Sequence, residues 1–288
     1  MSLPKIMVTG ANGQLGKELQ DLSSSYPQFE FIFLSRADLP IHHFGLIRNF
    51  FEAFHPDYCI NTAAYTAVDK AETEADLAML VNGQAVGELA TCCQDYHCRL
   101  LHISTDYVFD GESAVPYREE DPVSPVNLYG RSKLEGEVLA QQNCPDSVIV
   151  RTSWVYSSHG HNFVKTMLRL FQEKKEINVV NDQIGSPTYA ADLAKALLQI
   201  IQYSDWQPGV FHYSGEGKIS WYELALAIRE QVGSSCTIHP VPTAQYPTPA
   251  RRPHFSLLDT QKLLRVYGVH PVPWKKSLEV CLGKLANN

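Results

Sequence analysis

Long apolar runs and basic blocks are both missing from this chain of 288 residues. No stretch approaches the ~20 consecutive apolar residues that a membrane-spanning helix requires, so we expect no membrane partner. The formal net charge is -7 and lysine and arginine form no long cluster, so we expect no nucleic-acid partner either. With 44% hydrophobic residues the chain can still build a full core. These features favour chemistry on a small molecule.

Cysteine is sparse and unpatterned. The seven cysteines are odd in number and none stands in a C-x-x-C spacing, which argues against a disulfide framework and a zinc site. The chain passes directly into a structural segment without the regions of a signal peptide, so we expect a reducing, cytoplasmic location. His159 and His161 lack helical spacing and an acidic partner, so we expect no metal there.

What the chain does have is an alternation of buried strands and amphipathic helices. Five short apolar segments are typical of buried strands: "KIMVTG", "FEFIFLS", "DYCINTAA", "RLLHIST" and "SVIVRTS". Segments with helical periodicity lie between them, which predicts right-handed βαβ crossovers and a parallel sheet covered on both faces. Beyond residue 151 the rhythm becomes less regular and is punctuated by proline and glycine. We therefore predict an α/β fold with a Rossmann-type doubly wound parallel sheet and a smaller C-terminal lobe.

A glycine-rich turn joins the first strand to the first helix. In "GANGQLG", three glycines stand at G-x-x-G-x-x-G spacing. Glycine suits this place because the chain must turn tightly, approach a pyrophosphate closely and pack its helix against the strand. The residues expected to bind a dinucleotide here are Gly10, Asn12, Gly13, Gln14, Leu15 and Gly16. A turn without a ligand is the alternative, although the strand before it and the helix after it disfavour that interpretation.

The chain is expected to divide into two units. Residues 1–155 with 177–204 are predicted to form the dinucleotide-binding domain. Residues 156–176 and 205–288 are predicted to form the substrate-binding lobe.

The end of the second strand is expected to select the cofactor. NAD-binding relatives of this fold place a carboxylate about 20 positions after the glycine turn, where it binds the ribose 2′-hydroxyl. Here that place holds Ser35 followed by Arg36, and a guanidinium can bind a 2′-phosphate through charge-assisted hydrogen bonds. Asp38 lies close enough to reach the ribose. We therefore predict that NADPH is preferred and that NADH is also accepted.

The segment "NLYGRSKLEGE", residues 127–137, places a tyrosine four positions before a lysine at the start of a predicted helix. Residues four apart share one face of a helix, so the Tyr129 phenol and the Lys133 ammonium project to the same side. A nearby cation favours the phenolate and lowers the pKa of the phenol from about 10 toward neutrality, where a proton donor is most useful. An amphipathic helix that exposes both side chains without chemistry is the alternative.

Four segments lie at corresponding points of the predicted fold: the glycine turn, "NTAAYTAVDKAE" after the third strand, "STDYVFDG" after the fourth, and "YGRSK" opening the next helix. Together they resemble the extended short-chain dehydrogenase/reductase family. The later segments "RTSWVY", "NFVKTML", "VVNDQIGSPTYAADLA" and "RRPHFSLLDTQKL" are similar in kind and order to the subfamily that reduces dTDP-activated 4-keto-6-deoxy sugars. The resemblance covers most of the chain.

The resemblance implies roles for three residues from separate segments. Tyr129 is the expected proton donor to the substrate carbonyl. Lys133 is expected to bind the nicotinamide ribose and to lower the pKa of the phenol, and Thr105 to bind the reacting oxygen. All three are expected to meet at the carboxyl ends of the strands, where open α/β sheets bind their ligands.

The resemblance and side-chain chemistry also indicate residues around the cofactor and the sugar. The residues expected beside the cofactor after the third strand are Ala63, Ala64 and Tyr65. Trp154 is expected to pack on the deoxysugar, Asp106 to accept a hydrogen bond from a sugar hydroxyl, and Arg252 to bind the diphosphate. The alternatives are a core tryptophan, a turn-capping aspartate and a solvated arginine.

The segment after the fourth strand separates neighbouring activities. Nucleotide-sugar dehydratases similar to this chain carry an Asp-Glu pair after the threonine, whereas here Asp106 is followed by Tyr107, so a dehydratase is disfavoured. The resemblance implies NAD(P)H-dependent reduction of the C4 ketone of dTDP-4-dehydro-β-L-rhamnose to dTDP-L-rhamnose. The alternatives are a reductase or epimerase of another nucleotide sugar, and a non-catalytic NADP-binding regulatory subunit. A dTDP-sugar is the expected partner, and a homodimer is one assembly to be tested.

Overall fold

Strands and helices follow the hydrophobic pattern of the sequence. The computed structural model describes residues 3–287. Its strands are β1 (Lys5–Thr9), β2 (Glu30–Leu34), β3 (Tyr58–Asn61), β4 (Arg99–Thr105), β5 (Val148–Thr152), β6 (Val155–Tyr156), β7 (Glu176–Val180), β8 (Ile184–Gly185), β9 (Thr188–Tyr189), β10 (Gly209–His212), β11 (Ile219–Ser220) and β12 (Thr237–Val241). Its α-helices are α1 (Gln14–Ser23), α2 (Phe44–Phe54), α3 (Val68–Ala71), α4 (Ala75–Met79), α5 (Ala85–Asp95), α6 (Leu128–Asn143), α7 (Phe163–Glu173), α8 (Ala190–Gln202), α9 (Trp221–Gln231), α10 (Gln261–Tyr267) and α11 (Trp274–Ala286). A π-helical turn, Leu80–Gln84, joins α4 to α5.

The central sheet has six strands in the order β10-β5-β4-β3-β1-β2, and every neighbouring pair is parallel. The predicted doubly wound parallel sheet is therefore confirmed. The chain leaves β1 toward β2 on one side and returns to β3 on the other, so the order reverses between β1 and β3. A crevice opens at the carboxyl ends of strands at such a reversal, and this is where open α/β sheets bind ligands.

Alternating side chains of β1 hold the two helical layers. Ile6 and Val8 are fully buried in one apolar cluster, which contains Leu19 of α1 and Leu197 of α8. Met7, which points to the opposite face, is buried in a second cluster with side chains of α2, α5 and α6. Because both faces are covered, the three central residues of the strand are all apolar, as the sequence pattern indicates.

A third apolar cluster lies in the C-terminal part of the chain and joins α7, α9 and α11. In this part β7 pairs in parallel with β12 in a sheet of two strands. Two strands pair outside the unit to which the sequence assigned them. β10, which lies in the range predicted for the lobe, completes the central sheet, and β7, which lies almost wholly in the range predicted for the dinucleotide-binding domain, pairs with β12 of the lobe. The division into two units stays a prediction.

Among the helices of residues 3–287, none combines the length and apolar character needed to cross a membrane. All seven cysteines are free and buried.

Candidate active site

A cleft of about 850 Å³ opens at the carboxyl ends of the central strands. The predicted site residues that line it are Gly10, Asn12, Gly13, Gln14, Leu15, Arg36, Ala63, Ala64, Tyr65, Thr105, Asp106, Tyr129, Lys133 and Trp154. Three other predicted residues, Gly16, Ser35 and Arg252, are not part of its lining. The structure therefore brings segments that are distant in sequence into one cavity of a size suited to a small-molecule ligand.

The glycine turn forms a close backbone cradle on one side of the cleft. Gly10 has φ +68°, and a Cβ atom there would lie 2.7 Å from the backbone nitrogen of Ala63. Gly16 does not line the cleft, but a Cβ atom there would lie 2.5 Å from the carbonyl oxygen of Gly10, so close packing within the turn requires glycine at this position. The first turn of α1 has no side-chain cap and no acidic residue, so its backbone N–H groups can receive an anion. The cradle fits the diphosphate of a dinucleotide.

The turn after β2 leaves one cation facing the cleft. Arg36 is exposed and lines the cavity, whereas Asp38 is held by Ser35, whose N–H and hydroxyl donate to Asp38 Oδ2 at 2.9 and 2.6 Å. The hydrogen bonds from Ser35 also lower the pKa of Asp38. Ser35 therefore does not line the cleft but holds the Asp38 carboxylate within the turn. This arrangement favours a 2′-phosphate over a 2′-hydroxyl, because the carboxylate is engaged and the guanidinium is free to bind an anion.

The end of β4 and the first turn of α6 place Thr105 and Tyr129 together. Asn127 caps α6 by accepting a hydrogen bond from the Gly130 N–H at 2.8 Å, which fixes the turn that carries Tyr129. Burial raises the pKa of Tyr129 to about 12, the Thr105 hydroxyl opposes this rise, and the charge of Asp106 adds to it. A phenol with this pKa stays protonated, and so can donate, throughout the neutral range.

Lys133 lies one turn further along α6 and is only 2% exposed. Its amino group donates to the carbonyl oxygen of Ile103 at 2.6 Å and lies 3.3 Å from Nε2 of His102. Burial lowers the pKa of Lys133 to about 8. The pair with Tyr129 therefore differs from the expectation: the pKa of the phenol is raised, because its burial outweighs any effect of the lysine, whose amino group is directed at β4.

Asp106 is a buried carboxyl group in the wall of the cleft. Its Oδ1 accepts a hydrogen bond from the Thr105 hydroxyl at 3.0 Å, while its Oδ2 has no hydrogen-bond partner within residues 3–287. Burial raises the pKa of Asp106 to about 7, against hydrogen bonds from Ser256 and Thr105 that lower it. A buried oxygen without a hydrogen-bond partner costs free energy. Asp106 Oδ2 therefore indicates a place where a polar group of a ligand can bind.

Two stacked tryptophan rings form an aromatic wall of the cleft. Trp154 follows β5 with φ +48°, a conformation that is strained for a bulky residue and that is found where function requires it. Its ring stacks on Trp221 with centroids 3.7 Å apart and an angle of 10°. Trp221 also lines the cleft, and sequence reasoning missed it. The available signal was the capping box of Ser220 and Glu223, which places Trp221 at the first position of α9.

Asn82 is a second residue that sequence reasoning missed. It lies in the π-helical turn, fully buried, and binds both the N–H and the carbonyl group of Tyr65 at 2.8 and 3.0 Å. Its amide also donates to the Ser132 hydroxyl on α6 at 2.9 Å. Asn82 thereby ties the loop after β3 to the helix that carries Tyr129 and Lys133.

Arg252 is held by a carboxylate outside the lining of the cleft. Its guanidinium forms a two-pronged ion pair with Asp69, at 3.0 and 2.8 Å. Burial acts to lower the pKa of Arg252, but Asp69 and Tyr107 together raise it above its ordinary value. Asp69 also accepts a hydrogen bond from the Ala250 N–H at 3.2 Å. The pair therefore links the loop before Arg252 to α3, next to Tyr107 in the cleft wall.

His159 and His161 have different surroundings. His161 lines the cleft, whereas His159 pairs with Asp21 at 2.8 Å, an acidic partner that the sequence did not reveal. Ligand atoms of Glu18, Asp21 and His159 lie within 4.8 Å of one another. The Glu18 carboxylate already binds the Ser157 hydroxyl at 2.6 Å and the Lys284 ammonium at 3.3 Å. The expectation that these histidines bind no metal stays a prediction.

Comparisons with known proteins agree along the length of the chain. A family model described as RmlD substrate binding domain matches residues 4–287. A dTDP-4-dehydrorhamnose reductase of Aggregatibacter actinomycetemcomitans is 39% identical over 287 residues, covering 96% of this chain and 98% of that protein. The crystal structure of a dTDP-4-dehydrorhamnose reductase from Clostridium acetobutylicum is 40% identical, with a TM-score of 0.94 over 98% of this chain and 99% of that one. That of the Bacillus anthracis enzyme in complex with NADP is 38% identical, with a TM-score of 0.93 over 98% of this chain and 100% of that one. Since family model, sequence and fold agree over nearly the full length, the chain belongs to the RmlD substrate binding domain family, that of the dTDP-4-dehydrorhamnose reductases.

Proposed function

We infer that this protein reduces the C4 ketone of dTDP-4-dehydro-β-L-rhamnose to dTDP-L-rhamnose, a polysaccharide precursor, with NADPH as the reductant. The relatives that match it over nearly their whole length carry this activity in their names, and one of them binds NADP. The observation that carries the proposal is the meeting of Thr105, Tyr129 and Lys133 with the glycine turn in one cleft. A non-catalytic NADP-binding subunit would not require that meeting.

The residues of the chain account for binding of both ligands. When bound, NADPH supplies the hydride for C4. The cradle at Gly10 and the N-terminus of α1 receive its diphosphate, and Arg36 receives its 2′-phosphate. The ammonium of Lys133 binds the ribose next to the nicotinamide. The aromatic wall of Trp154 and Trp221 covers the apolar side of the deoxysugar.

The polar side chains that line the cleft supply the proton and bind the reacting oxygen of the substrate. When the sugar binds, the Thr105 hydroxyl turns from Asp106 Oδ1 to the oxygen that develops negative charge and donates to it. Tyr129, protonated because of its raised pKa, transfers its proton to that oxygen. Asp106 Oδ2, buried and unpaired within the described chain, binds a sugar hydroxyl. The Arg252 guanidinium can release Asp69 and bind the sugar diphosphate instead, because a carboxylate and a diphosphate can each accept two hydrogen bonds from one guanidinium. The division into a dinucleotide-binding unit and a substrate lobe, the homodimer and the cytoplasmic location also stay proposals.

The proposed function is tested by following NADPH absorbance while dTDP- and UDP-linked 4-keto-6-deoxy sugars are offered. Oxidation of NADPH with the dTDP-linked sugar, and formation of dTDP-L-rhamnose, are expected. Faster turnover with a UDP-linked sugar would mean that the protein is a reductase of another nucleotide sugar. Tight NADPH binding without turnover on any sugar would favour the regulatory-subunit alternative.

Replacing Arg36 with Ala should abolish the preference for NADPH. The variant loses the guanidinium that faces the 2′-phosphate, a charge-assisted contact of roughly 1.5–3 kcal/mol, so kcat/KM for NADPH should fall about 10- to 100-fold while that for NADH changes little. Steady-state kinetics with both cofactors measure this. Arg131→Ala, at an exposed position of α6 outside the cleft lining, is the matched control for the change in net charge. A wild-type enzyme that favours NADH would contradict the role of Arg36.

Replacing Trp154 with Ala should weaken binding of the sugar and leave the affinity for NADPH unchanged. The variant removes the ring stacked on Trp221 and with it about 1.5–3 kcal/mol of apolar contact, so KM for the keto sugar should rise at least 10-fold. Trp206→Ala, which removes an indole outside the cleft, is the control for a general loss of stability. Equal effects of the two variants on KM would mean that Trp154 acts only by packing.

A further inference from the structure

A chain of buried polar side chains crosses the sheet beneath the cleft and ends on Lys133. The Thr9 hydroxyl of β1 donates to Asn61 Oδ1 of β3 at 2.6 Å. Asn61 Nδ2 lies 3.0 Å from His102 Nδ1 on β4, and His102 Nε2 lies 3.3 Å from the amino group of Lys133. Thr9, Asn61 and His102 are each at most 1% exposed. Such a network, sealed from water, must be satisfied internally.

The hydrogen bonds of Thr9 determine which groups donate and which accept along this network of side chains. The N–H of Ala63 donates to Thr9 Oγ1 at 3.4 Å, so the Thr9 hydroxyl hydrogen is free to be given to Asn61 Oδ1. Rotating the Asn61 amide by half a turn would direct a second N–H at Thr9 Oγ1 and remove the acceptor to which the Thr9 hydroxyl now donates. The orientation that keeps the hydrogen bond from Thr9 to Asn61 Oδ1 therefore directs Asn61 Nδ2–H at His102.

The tautomer of His102 follows from that orientation. A neutral imidazole has one donor and one acceptor, and Nδ1 is the acceptor because it receives the Asn61 N–H. Nε2 must then carry the hydrogen and direct it at the amino group of Lys133. His102 is neutral in this place, because burial, and then the charge of Lys133, lower its pKa well below the ordinary value. The uncharged amine accepts this hydrogen bond and donates to Ile103; the ammonium has no lone pair to accept it.

Other charged groups near Lys133 have hydrogen-bond partners of their own, although the charge of Glu137 raises the pKa of Lys133 against the larger effect of burial. On its own helix, Glu137 binds the Arg151 guanidinium of β5 at 2.7 Å and also accepts a hydrogen bond from the Ser104 hydroxyl of β4. Tyr129 lies one turn earlier on α6, and the charge of Asp106 at the end of β4 acts on Tyr129. The strands β1 and β3 contribute only Thr9 and Asn61 to the network, and neither titrates. The polar contacts of the Lys133 amino group within the described chain are thus His102 and Ile103.

We propose that His102 is a positioning residue which, oriented by Asn61, donates a hydrogen bond to Lys133 and narrows the pH range in which the lysine is charged. This deepens the proposed function, on which it rests, because the ammonium form is the one that binds the ribose. Burial, which lowers the pKa of Lys133 to about 8, acts in the same direction.

The tautomer is tested without any substrate. In the intact protein with ¹⁵N-labelled histidine, long-range ¹H–¹⁵N spectra should show a neutral His102 with the hydrogen on Nε2, unchanged from pH 5 to 9. Its signals are those missing from the spectra of His102→Gln or, if that variant does not fold, of His102→Asn. A hydrogen on Nδ1, or a titrating imidazolium, would overturn the proposal. Because this measurement needs no turnover, its failure is distinct from a failure of the proposed function.

The consequence for catalysis is tested by the pH profile of kcat/KM. In His102→Gln the amide can direct its carbonyl oxygen at Lys133 and favour the ammonium, so the alkaline limb should move upward by about one pH unit. A limb that stays in place would mean that His102 only packs, and a limb that moves downward would mean that His102 accepts from the ammonium; both outcomes overturn the proposal. His212→Gln is the matched control, since His212 is another fully buried histidine, bound through Nδ1 to the carbonyl oxygen of Tyr117 and outside the cleft lining. It should leave the limb unchanged.

Discussion

Tyr129→Phe is expected to lower kcat by at least ~100-fold, the usual cost of losing a general acid, while the affinity for NADPH stays close to that of the wild type. The ring remains, so packing at the start of α6 and the edge contact with Tyr107, at 5.7 Å between centroids, are preserved. What is lost is the phenolic proton, which burial keeps in place by raising the pKa of Tyr129 to about 12. Single-turnover NADPH oxidation and a separate binding titration measure the two effects.

The matched control for this variant is Tyr156→Phe. Tyr156 is also buried, lies outside the cleft lining, and its hydroxyl has no hydrogen-bond partner among the residues that the structure describes. Removing an unpaired buried hydroxyl should leave kcat unchanged and stability equal or higher. Near-normal turnover of Tyr129→Phe would show that the proton comes from another group, and Asp106 would be the first to examine, because its pKa of about 7 allows it to donate.

Lys133→Met is expected to damage both cofactor binding and turnover. Methionine has nearly the same length but neither the charge nor the donors, so the proposed contact with the ribose is lost. A hydrogen bond to a charged group contributes about 1.5–3 kcal/mol, so the dissociation constant of NADPH should rise roughly 10- to 100-fold, with a further loss in kcat. Fluorescence titration of NADPH and steady-state kinetics separate the two effects.

Stability should respond to this change in the opposite direction. Lys133 is a buried amine without a carboxylate in contact, so its replacement by an apolar side chain removes the cost of burying a charge, which is larger than the loss of its hydrogen bond to Ile103. The melting temperature of Lys133→Met should therefore stay level or rise while activity falls. Lys195→Met, on the exposed side of α8, is the control and should alter neither property much. A collapse of stability in Lys133→Met would indicate that the lysine mainly supports the fold.

Local patterns of the sequence predicted the architecture. The segments that became β1 to β5 are recognisable because strands of a covered parallel sheet carry short runs of consecutive apolar residues, a property of contiguous residues. The glycine turn is likewise local, since the positive φ at Gly10 requires a residue without Cβ. The spacing of Tyr129 and Lys133 within one helix placed both in the same cleft. The predicted fold and family are therefore confirmed, whereas the roles of the site residues stay predictions.

Tertiary packing decided what local patterns could not. The pKa of Tyr129 rises, against the effect expected from the lysine, because burial is set by elements that pack over the helix. The ion pair of Arg252 joins residues 183 positions apart, and the chain from Thr9 to Lys133 links three strands and a helix. The edge strand β10 was likewise placed in the lobe by its position in sequence, although it pairs with β5. Long-range contacts such as these depend on which surfaces the folded chain brings together, so they carry no periodic signal in the sequence itself.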